Sequence, residues 1–225
     1  MPTLQPTILE NENPLEGPVD AVIPTTEHDE INWDMLDTPK IKATSQVPTR
    51  LQHMLSGNWS LGENTRGLKA NNSLAKKATS EEALEKILED PDVDDIEKAD
   101  NKCLHKLNVP RFRLVPMVRE LAKIYPLCSI SMSGFFLYPA DGGYMGWHTN
   151  SDAPYTRVYI THALEGDKSF FRYRIDGECV TSWDKAGWVM RQFEVNDDAK
   201  DKFWHTVYAD TKRLSVGFRI NRNLK

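Results

Sequence analysis

The chain has 225 residues, of which 40% are hydrophobic and 27% are charged, values typical of a soluble globular protein. No apolar run approaches the ~20 residues that a bilayer-spanning helix needs, and the N-terminus lacks the basic flank and apolar core of a signal peptide. The three cysteines are not closely spaced in pairs, which is typical of a reduced compartment. We therefore predict a cytoplasmic protein with no membrane partner.

Charge is distributed unevenly along the chain. Residues 1–100 contain 20 acidic and 9 basic residues, whereas residues 101–225 contain 13 acidic and 19 basic residues. A basic half is compatible with an anionic substrate, nucleic acid included. Lys and Arg are nowhere dense enough to define a patch, so we favour the alternative of ordinary surface charge.

The first 45 residues are rich in Pro, Glu, Asp, Asn and Thr, which predicts an extended or disordered acidic arm. Its main apolar cluster, Ile31–Leu36, is a candidate anchor on the domain or on a neighbouring subunit.

Residues 46–104 predict a helical and irregular leader. A short helix is predicted in Val47–Leu55, and a second begins at a capping box of Thr79 and Glu82, a hydroxyl followed three residues later by a carboxylate. A further short helix is predicted in Asp92–Asp100.

Residues 105–225 predict a helix followed by a β domain. Apolar residues from Leu114 to Ala122 recur at helical spacing, with Pro116 in the first turn. From Cys128 onward the period changes to two, which predicts strands. The predicted strands are Ser129–Tyr138, Tyr144–Thr149, Arg157–Ala163, Lys168–Arg174, Glu178–Trp183, Trp188–Val195, Lys202–Tyr208 and Arg213–Ile220. Short strands at this spacing indicate a sandwich or barrel, mainly β with preceding helices.

Two histidines on separate predicted strands indicate a mononuclear metal site. His148 lies near the end of the second strand, and His205 lies on the seventh. Neutral imidazole is a good ligand for iron, zinc or copper. Asn150 follows His148 by two residues, so that both side chains lie on one face of the strand. Arg213 begins the next strand and is a candidate for binding an anion.

This arrangement resembles the signature of the 2-oxoglutarate- and iron(II)-dependent oxygenases, in which His-x-Asp/Glu is followed by a distal His and then by an Arg on the next strand. The resemblance covers residues 128–220 and implies a double-stranded β-helix, or jelly roll, at 105–225. Arg213-x-Ser215 resembles the Arg-x-Ser element that holds the far carboxylate of 2-oxoglutarate.

Finer features resemble particular branches of this superfamily. Arg219, six residues after Arg213, resembles the arginine pair of the AlkB-type demethylases, and Tyr138 matches a position that often touches the cosubstrate. The gap of eight residues from His205 to Arg213 is closer to the prolyl-hydroxylase-like branch. The segment 146–150 is similar to small oxygenases of marine phages and cyanobacteria.

The resemblance implies a hydroxylase or oxidative demethylase. His148, His205 and Asn150 would hold Fe(II), and Arg213, Ser215, Tyr138 and Arg219 would bind 2-oxoglutarate. The substrate stays open between a small molecule, a protein side chain and nucleic acid, because the loops near 139–146 and 151–156 carry no decodable motif.

Asn150 departs from the family pattern, which has a carboxylate at that position. Four interpretations are open. Asn150 coordinates through its side-chain oxygen, Asp152 replaces it from the turn-prone segment 150–154, the site is degenerate, or a halide takes the vacated ligand position.

The main rival hypothesis is a catalytically degenerate oxygenase-fold module that acts as a structural or assembly protein of a phage, with a virion location. A cupin-like zinc or iron binder that does not depend on Arg213 is a third hypothesis. Asn150 and the long arm favour the assembly protein, whereas the spacing of His148, His205 and Arg213 favours the enzyme.

Overall fold

The structure is a computed structural model that describes residues 41–44, 46–59, 69–89, 101–150, 155–195 and 202–222. The predicted anchor Ile31–Leu36, the predicted helix Asp92–Asp100 and the alternative ligand Asp152 lie outside these residues.

Strands make up most of the regular structure between residues 101 and 222. The strands are β1 Ile41–Thr44, β2 Lys102–Cys103, β3 His105–Lys106, β4 Cys128–Tyr138, β5 Gly143–His148, β6 Tyr155–Ala163, β7 Ser169–Ile175, β8 Glu178–Trp183, β9 Gly187–Val195, β10 His205–Ala209 and β11 Arg213–Arg222. Strands β4 to β11 correspond to the eight predicted strands, with ends that agree to within three residues.

The strands form two antiparallel sheets that face each other. One has the order β1-β9-β6-β11-β4-β3 and the other has the order β2-β5-β10-β7-β8. Between β4 and β11 the chain repeatedly crosses from one sheet to the other, which is the topology of a double-stranded β-helix. The predicted fold class is therefore confirmed.

Three short strands extend these sheets beyond the eight-stranded core. β1, at the end of the segment predicted as an extended arm, pairs with β9. β2 pairs with β5, and β3 pairs with β4. Residues predicted as arm and leader thus contribute to both sheets.

The helices are α1 Thr49–Leu55, α2 Asn72–Ala78, α3 Glu81–Leu88 and α4 Arg111–Ile124. Helix α2 was not predicted, although Asn71 gives a cap signal, since its side chain accepts a hydrogen bond from the Leu74 amide. None of the helices in the described ranges is both long and apolar enough to cross a membrane.

Two local predictions about the helices were wrong. The N-cap of α3 is Ser80, whose hydroxyl accepts from the Ala83 amide, whereas Thr79 ends the preceding helix and donates back to the Ala75 carbonyl. Pro116 lies beyond the first turn of α4, because that helix begins at Arg111 and not close to Leu114.

Helix α3 packs on the outer face of the sheet that carries β5. Leu84 contacts Trp147 and Trp204, and the Trp147 indole donates to the Ser80 carbonyl over 2.7 Å. Successive residues of a strand point to opposite faces. An outward Trp147 therefore directs His148 into the space between the sheets.

Candidate metal and cosubstrate site

Each predicted histidine ligand is held through its Nδ1 atom. His148 Nδ1 lies 2.8 Å from the Gly146 carbonyl oxygen, and His205 Nδ1 lies 3.0 Å from the Phe203 carbonyl oxygen. A carbonyl oxygen can only accept, so each Nδ1 carries the hydrogen. This tautomer presents Nε2 with a lone pair, the form that binds a metal ion.

Pairing of β10 with β5 places His205 directly opposite His148. The ring centroids are 4.1 Å apart, and the side chains are 7% (His148) and 0% (His205) exposed. Two rings this close can bind a single ion through bonds of about 2.1 Å. The geometry therefore brings together the two histidines that the sequence pattern singled out.

His205 lies in an aromatic environment formed by Phe171, Phe193 and Phe203, whose ring centroids are 5.3 to 5.6 Å from its own. Burial lowers the pKa of His205 well below its ordinary value, and the neighbouring His148 lowers it further. The ring therefore stays neutral, as a metal ligand must.

Asn150 follows β5 with φ of 60°, a left-handed conformation that asparagine tolerates better than most residues. Its Nδ2 lies 2.9 Å from His205 Nε2 and 3.5 Å from the Tyr159 hydroxyl. A half-turn of the amide would place Oδ1 beside His205 Nε2 instead.

These three side chains, which we call the histidine site, fit a divalent ion. Neighbouring ligand atoms of an octahedral ion are about 3 Å apart when the bonds are about 2.1 Å, which matches the Asn150–His205 separation. No group of three His, Cys, Asp or Glu side chains suited to a metal ion occurs among the described residues. If Asn150 were the third ligand, it would be a neutral amide, which attracts a cation less strongly than a carboxylate does.

Arg213 begins β11 and is 1% exposed. Its Nε donates to Asp184 Oδ2 over 2.8 Å, whereas its two terminal nitrogens are buried and have no hydrogen-bond partner among the described residues. Buried donors of this kind are costly unless they are paired. Two parallel N–H groups are the arrangement that binds a carboxylate in a bidentate pair.

Asp184 is the centre of a buried ionic network at the end of β8. Its Oδ1 accepts from an Arg191 terminal nitrogen over 2.6 Å, and its Oδ2 accepts from both Arg213 and the Ser169 hydroxyl. Burial alone would raise the pKa of Asp184, but Arg213 and Arg191 hold this pKa well below its usual range. We call Ser169, Asp184, Arg191 and Arg213 the arginine cluster.

Tyr138 and Ser215 connect the arginine cluster with the histidine site. The Tyr138 ring lies 5.2 Å from the Arg213 guanidinium carbon, and burial raises the pKa of its hydroxyl, so that the ring stays neutral. Ser215 lies two residues after Arg213, on the same face of β11. Both line one small cavity of about 30 Å³, whose lining also includes Ser133, Phe136, Met145, His148, Tyr159, His205, Val207 and Gly217.

The cavity holds about one water molecule at this volume. 2-Oxoglutarate is larger, so it would fit here only if lining side chains moved. Met145 is suited to that movement, because methionine is unbranched and has three rotatable bonds.

Arg219 lies apart from Arg213. Arg219 follows Arg213 by six positions, which corresponds to about 20 Å along an extended strand. Arg219 is opposite Arg157 of β6, and its Nε is buried without a hydrogen-bond partner in the described part of the chain. Arg213 and Arg219 therefore do not converge on one carboxylate, and a cosubstrate role for Arg219 stays a prediction.

Sequence reasoning missed several residues of this region. Asp184 was interpreted as a turn residue, and nothing in its local pattern indicates burial. Arg191 carried a usable signal, because it interrupts the apolar face of β9 formed by Val189, Phe193 and Val195. Tyr159, on the inward face of β6, was also missed.

Comparison with known proteins adds structural neighbours. No family model and no curated protein matches the chain. A prolyl-4-hydroxylase from Pseudomonas putida is similar, with a TM-score of 0.48 and 15% identity over 84% of this chain and 96% of that one. An oxidoreductase of the 2OG-Fe(II) oxygenase family from Burkholderia pseudomallei has a TM-score of 0.38 and 12% identity over 69% and 84%.

Proposed function

We propose that this protein is an Fe(II)- and 2-oxoglutarate-dependent oxygenase, a hydroxylase or oxidative demethylase. One observation carries the proposal: two facing histidines and a buried arginine, whose two terminal donors are unpaired among the described residues, lie within one barrel. Two imidazoles suit a metal ion, and the arginine suits a carboxylate. Only a ligand that both binds a metal and ends in a carboxylate uses both features.

The side chains have distinct roles in this proposal. His148, His205 and Asn150 hold the ion, with the first two oriented by backbone carbonyl groups. Arg213 binds the far carboxylate of 2-oxoglutarate in a bidentate pair that lysine would not reproduce. Ser215 donates a further hydrogen bond to the ligand, and Tyr138 packs against the Arg213 guanidinium.

The aromatic residues Phe171, Phe193 and Phe203 exclude water from the side of His205. When bound, iron with 2-oxoglutarate supplies the oxidising power: one oxygen atom of O₂ enters the substrate, and the other enters succinate as CO₂ is released. Small molecules, protein side chains and nucleic acid remain open as substrates.

The proposal is tested with purified protein under anaerobic conditions. Titration with Fe(II), followed by addition of 2-oxoglutarate and then of air, should give metal binding and the release of labelled succinate, even without substrate. A His148→Gln, His205→Gln double variant is the control, and it should lose both signals. Absence of metal binding together with absence of succinate in the wild type would refute the enzymatic proposal.

A second function is favoured by the contact between Asn150 and His205. If the amide donates permanently to Nε2, as their 2.9 Å separation allows, His205 is occupied and no ion binds. The protein would then be a non-catalytic module on an oxygenase fold, with a role in assembly. Metal titration separates the two proposals, because Fe(II) should bind at the histidine site of an enzyme but not at that of the non-catalytic module.

A further inference from the structure

Asp184 contacts Arg213 through Nε and not through the terminal nitrogens. A carboxylate can bind both terminal nitrogens of an arginine and so occupy its whole outer edge. Of the three Arg213 nitrogens, only Nε donates to Asp184 Oδ2, and the outer edge of Arg213 stays unpaired in the described structure.

Arg191 prevents the alternative arrangement of this pair. Its terminal nitrogen holds Asp184 Oδ1 at 2.6 Å, so that only one carboxylate oxygen can reach Arg213. Arg191 is itself fixed by the Ser182 carbonyl and hydroxyl groups, at 3.1 to 3.2 Å.

The backbone of Asp184 is fixed as well. Its amide donates to the Ser169 carbonyl over 2.9 Å, and its own carbonyl accepts from the Asp167 amide over 2.8 Å. The side chains of Asp184 and Arg213 are each 1% exposed. The carboxylate therefore has little freedom to follow Arg213 if that side chain moves.

The arginine cluster also carries unbalanced charge. Two arginines and one aspartate leave one positive charge in a region closed to water. An isolated buried charge is strongly unfavourable unless it is paired. An anion bound at the outer edge of Arg213 would supply the missing partner.

We propose that Asp184 is a positioning residue that directs the outer edge of Arg213 towards the ligand, so that this edge binds a ligand carboxylate in preference to an uncharged group. The choice of 2-oxoglutarate as the natural ligand rests on the proposed function. The positioning by Asp184 does not, because it concerns only this chain's side chains and a carboxylate.

The sharpest test is a charge-matched double variant, Asp184→Asn with Arg191→Gln. It removes one negative and one positive charge, so that the arginine cluster keeps a net charge of +1 while Arg213 loses its anchor. Binding of glutarate and of glutaramide is measured by titration calorimetry without added metal. Glutaramide has the same carbon chain, but uncharged amides replace both carboxylates.

In the wild type, glutarate should bind at least about tenfold more tightly than glutaramide, as expected for a charge-assisted bidentate pair. In the double variant, glutarate should weaken about tenfold while glutaramide changes less than twofold. A purely structural role for Asp184 would weaken both ligands equally. An unchanged ratio in the variant, or no discrimination in the wild type, overturns the inference.

Two further variants complete the test. Lys185 is exposed and pairs with Asp167, so Lys185→Gln removes a positive charge that lies outside the arginine cluster, and its glutarate affinity should stay within about twofold of wild type. If the double variant does not fold, Asp184→Glu keeps the charge and displaces the carboxylate by one methylene. It should lose glutarate discrimination several-fold, and unchanged discrimination would overturn the inference.

Failure of the proposed function has a different signature. In that case Fe(II) would not bind and no succinate would form, yet the preference for glutarate and its dependence on Asp184 would persist. That outcome supports the positioning role alone.

Discussion

The histidine site and the arginine cluster occupy the same barrel but are built in opposite ways. The histidine site contains no acidic side chain, and it is held by two backbone carbonyls and one amide contact. The arginine cluster is ionic, with each oxygen of the Asp184 carboxylate bound to at least one donor. Rigidity and charge are therefore concentrated where a carboxylate would bind, not where a metal would bind.

This difference has an electrostatic consequence. A divalent ion in the histidine site would have no carboxylate from the described residues to balance it, and the arginine cluster adds a further positive charge. A dianion that bridges the two regions would balance most of this charge. We therefore expect metal and dicarboxylate to strengthen each other's binding, as linkage requires when each favours the other.

The largest expected effect comes from removing the charge of Arg213. Arg213→Met keeps the length of the side chain, and Asp184 keeps Arg191 and Ser169 as partners. Loss of a buried charged partner costs several kcal/mol, so affinity for 2-oxoglutarate should fall by about 100-fold, as measured by calorimetry.

Lys212→Met is the matched control, since Lys212 is the exposed neighbour of Arg213 and its loss should leave affinity unchanged. A loss of less than about fivefold in Arg213→Met would show that the ligand carboxylate binds elsewhere, and would favour the cupin-like hypothesis.

The second-largest expected effect is a gain in metal affinity at the histidine site. Asn150→Asp adds the missing negative charge beside His205, and aspartate also tolerates the left-handed backbone at this position. Metal affinity rises with the charge of the ligand set, so Mn(II) or Fe(II) should bind about tenfold more tightly in an anaerobic titration.

Asn58→Asp serves as the control for added charge, because Asn58 is exposed and lines a pocket elsewhere on the surface. Equal affinities in Asn150→Asp and in the wild type would remove Asn150 from the ligand set. The non-catalytic module would then be the better interpretation.

The sequence predicted the histidine site more completely than the arginine cluster. The histidine site could be predicted from the sequence because His148, Asn150 and His205 lie at strand positions whose faces follow from period-two alternation. The β5–β10 register then brings the histidines together. The fold could be predicted for the same reason, since eight alternating strands separated by turn residues are compatible with only a few architectures.

Only part of the arginine cluster could be predicted from the sequence. Arg213 was found through its spacing from His205, but its partner Asp184 lies in a turn, where aspartate is common for local reasons. What buries Asp184 is the packing of β8 against Ser169 and the inward Arg191, which are long-range contacts. A charged residue on an apolar strand face, such as Arg191, is the one local signal that points to a buried counter-ion.

A third, smaller effect concerns acid stability. The pKa of Asp184 is depressed in the folded protein, so its stabilising contribution is fully present above the unfolded value of about 3.9 and is lost as pH falls through the folded value. Asp184→Asn should be less stable than wild type by about 3 kcal/mol at pH 7. The gap should narrow by about 1 kcal/mol at pH 3.

Urea unfolding at the two pH values measures this difference, and the comparison cancels the titration of other groups. A gap that is constant between pH 7 and pH 3 would mean that Asp184 is not held ionised by Arg213 and Arg191. The contrast drawn between an ionic and a neutral region would then be lost.

The smallest effect tests how finely the ligand is positioned between the two regions. Ser215 is 5% exposed, lines the cavity and lies on the face of β11 that carries Arg213. Ser215→Ala removes one hydrogen bond to the ligand, worth about 1 kcal/mol, so affinity for 2-oxoglutarate should fall about threefold. Ser133→Ala alters a serine of the same cavity on β4 and should leave affinity unchanged. Equal losses in both variants would mean that the cavity binds the ligand through general polarity, whereas a loss confined to Ser215→Ala fixes the ligand's carboxylate beside β11.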